Sequence, residues 1–223
     1  MIDLSKSYEY FKPETVKDPI HIVGCGSVGS TVAENLVRMG LKNLVLWDFD
    51  TVNSHNIANQ LFRAKDIGKK KVDALLDILT DIDPEIKDSV KLKPDGWKGE
   101  PMTGYIILAV DSIEIRKNIV NLHMGSPFVK AMFDYRTELE SAQHFAADWS
   151  SLKQRQGLLN TMNFSSEEAE ADVPMSACGV VLGVNPTIRF IVAAGVANFV
   201  NFVKGLPLKR FIQANPFAGL CDA

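Results

Sequence analysis

A chain of 223 residues, 46% hydrophobic and 23% charged, can build one sizeable α/β domain, and a second full domain would be a squeeze. The composition argues against disordered and fibrous classes. A net charge of -3 and a pI near 5.8 argue against a whole-domain nucleic-acid surface. Cys25, Cys178 and Cys221 lie far apart without a CxxC pair, which speaks against a disulfide framework and a structural zinc site. The N-terminal MIDLSKSYEYFKPETVKD lacks an apolar core, so no secretory signal and a cytoplasmic location are expected.

In chain order, PIHIVG (19–24) reads as a short buried strand, and GCGSVG (24–29) opens a helix to about Met39 with Gly40 beyond it. NLVLWD (43–48) is a second apolar strand. IGKKKVDALLDILTDI (67–82) has helical periodicity and stops before Asp83-Pro84. Val90 to Leu92 is a candidate third strand, and GYIILAV (104–110) is the clearest buried strand, followed by a helix from Ile113 to Met124. This alternation predicts a parallel sheet with right-handed crossovers.

After Pro127 the character changes. Phe128 to Phe133 and Glu138 to Asp148 read as neighbouring strands joined by a polar turn at Tyr135-Arg136, where Arg136 either guides a carboxylate tail or simply occupies a surface turn. A polar helix follows over about 151–162, then the acidic SSEEAEAD (165–172), expected as a mobile loop. FIVAAGVANFVNFV (190–203), interrupted by Asn198 and Asn201, reads as a buried or oligomer-facing helix too short, at about 14 residues, to span a bilayer. Leu208 to Ala214 is the expected final strand. The expected fold is α/β: a doubly wound, Rossmann-like, mainly parallel sheet with mixed C-terminal strands. It forms a single domain over 1–223, with a nucleotide-binding half at about 19–125 and a modified half at about 126–223.

A GxGxxG turn between strand and helix brings backbone close to a phosphate and presents the free amides of a helix N-terminus to it. Asp48 at the end of the second strand is placed to hold ribose hydroxyls, which suits NAD and ATP equally. The following stretch favours ATP. Asn56, Gln60, Arg63 and Lys69-Lys70-Lys71 crowd together, and adjacent lysines at a helix start call for an offsetting anion such as a triphosphate, or are a solvated basic turn. Asp111 follows the most buried strand at the sheet's C-terminal edge. It is either a Mg²⁺ ligand beside phosphates or, with Ser112, a helix cap. In an oxidoreductase neither the lysines nor Asp111 would have a role.

The run from Gly24 through DFDTV, Asn56 with Gln60, and DIGKKK to AVDS (109–112) resembles the ThiF/MoeB/HesA superfamily of adenylating domains related to ubiquitin-activating enzymes. The resemblance is strong over about 20–115 and looser over SACGVVLGVNPTIRFIVAAGVANFV. It implies an ATP-dependent adenylyltransferase that activates the C-terminal glycine of a small β-grasp, ubiquitin-like or sulfur-carrier-like protein, with ATP and Mg²⁺, as a homodimer. On that resemblance Gly24, Gly26, Ser27 and Gly29 shape the phosphate turn and Asp48 and Asp50 serve the nucleotide. Asn56, Gln60, Arg63 and Lys71 serve the phosphates, and Asp111 holds Mg²⁺ near the reacting phosphorus. Membrane attachment is not expected and nucleic acid is an unlikely partner.

The chain departs from the family pattern in places. Asn59 stands where an arginine usually precedes the glutamine, and the first arginine is Arg38, so Lys6, Lys12 or Lys17 would have to replace an N-terminal family arginine. Lysine lacks the bidentate fork. The paired CxxC zinc site is absent, and the missing arginines leave a catalytically impaired nucleotide-binding scaffold of the same fold as an alternative. Cys178 is the candidate nucleophile for a thioester, although the family position corresponds to Met175. A small buried hydrophobe is the alternative reading of Cys178. Cys25 reads as a spacer, Cys221 as a tail residue, and the four histidines show no ligand spacing.

Overall fold

The computed structural model describes residues 2–164, 168 and 183–222. Its elements, in chain order, are β1 (Ile20–Val23), α1 (Ser27–Arg38), β2 (Leu44–Trp47), α2 (Lys71–Ile82), β3 (Lys91–Lys93), β4 (Gly104–Leu108), α3 (Ile113–His123), β5 (Val129–Thr137), β6 (Ala142–Asp148), α4 (Leu152–Asn160), α5 (Asn185–Val203), β7 (Phe211–Asn215) and β8 (Leu220–Asp222). One eight-stranded sheet runs β3-β2-β1-β4-β5-β6-β7-β8. The first five strands are parallel, and β6, β7 and β8 are added antiparallel. The expected doubly wound, mainly parallel sheet with mixed C-terminal strands is what forms.

Both faces of the sheet are covered, which is why β1, β2 and β4 read as continuous apolar runs rather than alternating ones. On one face Ile20, Ile22, Leu44 and Leu46 meet α1, α2 and α5. On the other, Val23, Val45, Trp47, Ile106 and Leu108 meet α3 and α4 through Ile113, Ile119, Val120 and Leu158.

Several boundaries moved, each for a local reason. α2 starts at Lys71 rather than Ile67: Gly68 has φ +88°, and Lys70 is tied by an antiparallel bridge to Thr51, so neither can sit in a helix. Tyr135 and Arg136 lie inside β5 rather than in a turn, and the chain reverses instead where Glu138 N–H donates to Ser141 O at 2.9 Å. Tyr135 is buried, and its ring packs so closely on α5 that a Cβ on Gly195 would lie 2.3 Å from its hydroxyl. The pair misled because Arg136 commits its charge to Asp134 and Thr161 and Tyr135 is buried as an aromatic ring.

α5 has 19 residues, longer than the apolar run alone suggested. Among the described residues it is one helix long and apolar enough to cross a membrane by length and composition, and half of it is buried in this fold. Ile188, Ile191, Val192, Phe199 and Val200 face the sheet, each contributing roughly 1.5–3 kcal/mol on burial. The interrupting Asn198 is satisfied: its amide accepts from Lys209 N–H at 2.9 Å and donates to Lys209 O at 2.8 Å, fastening α5 to the chain entering β7. The edge strand β8 was not anticipated, and Cys221, read as a tail residue, pairs in it with Ala214. The acidic segment 165–172 lies outside the described residues except for Glu168.

Candidate active site

The glycine turn sits where the winding direction of the sheet reverses, between β1 and β4, which is where ligands of doubly wound sheets bind. Ala109 N–H donates to Val23 O at 2.8 Å, so the two strand ends leave the sheet side by side. Gly24, with φ +92°, has no room for a side chain: its Cβ would lie 2.6 Å from Ala109 O. A Cβ on Gly29 would lie 1.8 Å from Gly24 O. These two glycines are demanded by the protein itself. Gly26 is different. Among the described residues its Cβ would meet nothing closer than Gln60 Nε2 at 3.9 Å, so its bareness leaves room for an approaching group. Gly26 is the N-cap of α1 and offers no side chain to the helix's first amides.

Asp48 closes one side of the turn. Its carboxylate is buried, accepting from Cys25 N–H at 2.7 Å and from Asp50 N–H at 2.8 Å, so it braces the glycine turn against the loop after β2. Lys71 is the first residue of α2 and mostly buried. Its Nζ donates to Asp50 at 2.8 Å. Asn56 is buried and accepts from Asn53 N–H at 2.8 Å in a reciprocal cap of a short 3-10 turn. The buried Gln60 Oε1 has no partner among the described residues.

The lysine cluster is not left uncompensated. Lys69 pairs with Asp66 and with Asp77, Lys70 donates to Phe49 O at 2.6 Å, and Lys71 holds Asp50. The fold supplies acceptors for all three lysines, so their adjacency requires no external anion, contrary to the expectation from sequence. Arg63 departs from expectation likewise. Its guanidinium is committed to Asp66 and to Asp81 at 2.6 Å rather than reaching toward the glycine turn. Burial by itself would raise the Asp66 carboxyl, but Arg63 and Lys69 hold it down at about 2.

Asp111 is exposed and has no partner among the described residues. The cap of α3 is Ser112, whose hydroxyl accepts from Ile115 N–H at 3.2 Å, so capping does not occupy Asp111. Arg116 of α3 reaches back beneath this loop, donating Nε to Val110 O at 2.8 Å and Nη1 to Tyr135 O at 2.8 Å, with an ion pair to the wholly buried Asp134. Arg136 takes the other Asp134 oxygen at 2.7 Å and donates to Thr161 O at 2.8 Å, its guanidinium lying 4.5 Å from the Phe145 ring centroid. Neither a surface turn nor a free guide for a carboxylate describes Arg136. The Arg116–Asp134–Arg136 network escaped the sequence reading because its members lie on two different elements.

Cys178, the candidate nucleophile, lies outside the described residues, as do Met175 and Gly179. Cys25 is fully buried, with its thiol pushed well up by burial and by the Asp48 charge. It does more than space the glycines, since its amide anchors Asp48. A cavity of about 900 Å³ lies under the N-terminal segment, lined by Leu4, Tyr8, Pro13 and Lys42. It is not at the glycine turn.

The ThiF family model matches residues 16–139, more than half of the sequence. The chain belongs to the ThiF family. This ThiF-family chain is 42% identical over 74 residues to ubiquitin-like modifier-activating enzyme 5 of Oryza sativa subsp. japonica, covering 33% of the chain and 18% of that relative. It is 42% identical over 67 residues to the enzyme of the same name from Arabidopsis thaliana, covering 30% and 16%. The matched stretch thus spans under a fifth of those relatives. Among solved structures, PaaA superposes with a TM-score of 0.68 at 17% identity, covering 96% of this chain and 65% of that one. E. coli MccB with ATP gives 0.64 at 16% identity, covering 91% and 62%. At these identities the likeness shows the shared fold.

Proposed function

We propose that this ThiF-family chain is an ATP-dependent adenylyltransferase that activates the C-terminal carboxylate of a small ubiquitin-like or sulfur-carrier-like protein. The observation that carries the reading is Asp111. It is an exposed carboxylate without a partner, two residues beyond the Ala109 carbonyl against which Gly24 packs. The room at Gly26, with the donor Gln60 Nε2 3.9 Å from where its Cβ would lie, suits a nucleotide phosphate, while the unpartnered Gln60 Oε1 is an acceptor and would take a hydroxyl. Among the described residues no cluster of three or more His, Cys, Asp or Glu side chains could hold a metal. Mg²⁺ needs only one or two carboxylates alongside phosphate oxygens, and Asp111 is the residue that would supply one.

In this reading the substrate carboxylate is already a nucleophile. It attacks the α-phosphorus of ATP and pyrophosphate leaves, so no group of unusual pKa is required. The protein contributes position and charge: the glycine turn and the α1 amides hold the phosphates, Asp48 the ribose, Lys71 and Asn56 the phosphate side. Lys71 must exchange part of its contact with Asp50 for phosphate, a rearrangement open to a lysine of this reach. The relatives' name, ubiquitin-like modifier-activating enzyme, and a structural neighbour crystallised with ATP support the substrate class. Homodimerisation through α5, a cytoplasmic location and passage of the activated glycine to Cys178 belong to the same proposal.

The test is calorimetric titration with MgATP and, separately, with NAD. Micromolar MgATP binding that weakens at least tenfold in Asp111→Ala and Lys71→Ala, without NAD binding, supports the reading. NAD binding indifferent to both substitutions defeats it.

A further inference from the structure

We propose that Arg116 is the positioning residue for Asp111, and that buried Asp134 exists to hold Arg116 in that task. The proposal rests on the reading of Asp111 as the Mg²⁺-binding carboxylate. The Asp111 carboxylate makes no hydrogen bond or ion pair among the described residues, so its placement is set by its backbone. The peptide unit that precedes it consists of Val110 C=O and Asp111 N–H in one rigid plane. Arg116 seizes that plane by its oxygen, through Nε at 2.8 Å and also through Nη2. On the other side of Asp111, Ser112 is fixed as the cap of α3. The aspartate is thus held between two pinned neighbours.

Arg116 can do this because it is itself immobilised. It is 6% exposed, and Nη1 is shared between the Asp134 carboxylate and Tyr135 O at 2.8 Å. Asp134 stands opposite Leu108 in the register of β4 with β5, directly below the loop that carries Asp111. The loop's geometry is therefore referred to the rigid sheet rather than to α3 alone. Stability is a weak explanation for such an arrangement, since buried ion pairs are often no more stabilising than apolar replacements. A planar fork that contacts three acceptors at once is something lysine cannot reproduce.

The experiment compares ATP binding with excess Mg²⁺ and in EDTA, for the wild type, Asp111→Asn, Arg116→Lys and the double variant of the full chain. Arg116→Lys is expected to cut the Mg²⁺-dependent part of the affinity about tenfold, the scale at which residues behind a metal ligand act. It should change ATP binding in EDTA less than twofold and add nothing in the Asp111→Asn background. Equal weakening with and without Mg²⁺, or a full additional loss on top of Asp111→Asn, would overturn the positioning role while leaving Asp111 as the ligand. Asp111→Asn with undiminished Mg²⁺ dependence would overturn the reading of Asp111 and the proposal with it. If Arg116→Lys does not fold by its circular-dichroism melt, Asp134→Asn carries the same comparison, keeping the shape while removing the charge that anchors Arg116.

Discussion

Two groups of polar side chains occupy the same end of the sheet, and the fold treats them in opposite ways. Around Asp134, two arginines, two backbone carbonyls and the Thr161 carbonyl satisfy one another almost completely. Around the glycine turn, Gln60 Oε1 and the Asp111 carboxylate lack partners among the described residues, and Gly26 leaves open space. Buried polar groups are normally paired, because leaving one unpaired costs about 1–3 kcal/mol. A cluster that closes on itself is therefore scaffold; beside the glycine turn the buried Gln60 Oε1 lacks that pairing, whereas Asp111, being exposed, carries no such cost. The basic stretch from Arg63 to Lys71 belongs with the closed group, although its charge first suggested the open one.

The comparison can be broken most forcefully at Asp134. Asp134→Ala leaves Arg116 buried without its counter-charge and should cost about 3–5 kcal/mol in urea unfolding; a loss under 1 kcal/mol would mean the network is not closed. Gly29→Ala comes next. With Gly24 O only 1.8 Å from the new Cβ, both backbones must yield, and a cost of about 3 kcal/mol is expected, seen as a melting temperature lower by roughly 6–12 °C for a domain of this size.

His144, packed against Tyr135 beside the Asp134 network, tests that side by pH, although its own buried Nδ1 has no partner among the described residues. Burial pushes it down to about 4, partly opposed by the Asp134 charge. The unfolded chain therefore binds the proton more tightly than the folded one, and stability is retained above about pH 6.5 and lost as pH falls toward 4. The loss should approach 3 kcal/mol, and His144→Gln should flatten that slope; an unchanged slope would sink the assignment. His21, also near 4 by burial beside His123, Lys91 and Lys93, contributes in the same direction.

The open side predicts the reverse pattern. Gly26→Ala has no clash closer than 3.9 Å, so it should shift stability by less than about 1 kcal/mol in thermal melts while weakening ATP binding tenfold or more in calorimetry. Smallest of all is Lys69→Met. Its amino group is exposed, and its buried partner Asp66 keeps Arg63, so the loss should be about 0–1 kcal/mol, with ATP affinity unchanged; a large drop in affinity would restore the cluster to the phosphate side.

Much of the site could be read in advance because its signals are local. The glycine spacing, the aspartates ending β2, and Asp111 after β4 each follow from strand-to-turn grammar within a few residues, and the helices that separate the first five strands, except β3 from β4, leave few topologies open. The shift of α2 to Lys71 needed the Thr51–Lys70 bridge, which joins residues 19 positions apart, and propensity within one window could not show it. In β5, Tyr135 and Arg136 looked like a turn because the partners that consume their polarity and bulk, Thr161 and Gly195, come from α4's end and α5.

Sequence alone determined the parallel core, the glycine turn and the residues clustered at its edge, since hydrophobic runs and turn chemistry act between near neighbours. The tertiary structure alone decided which charged groups are spent and which are left over. Pairing is settled by distances between residues remote in sequence, and a lysine, arginine or aspartate looks the same in the chain whether or not a partner meets it in the fold.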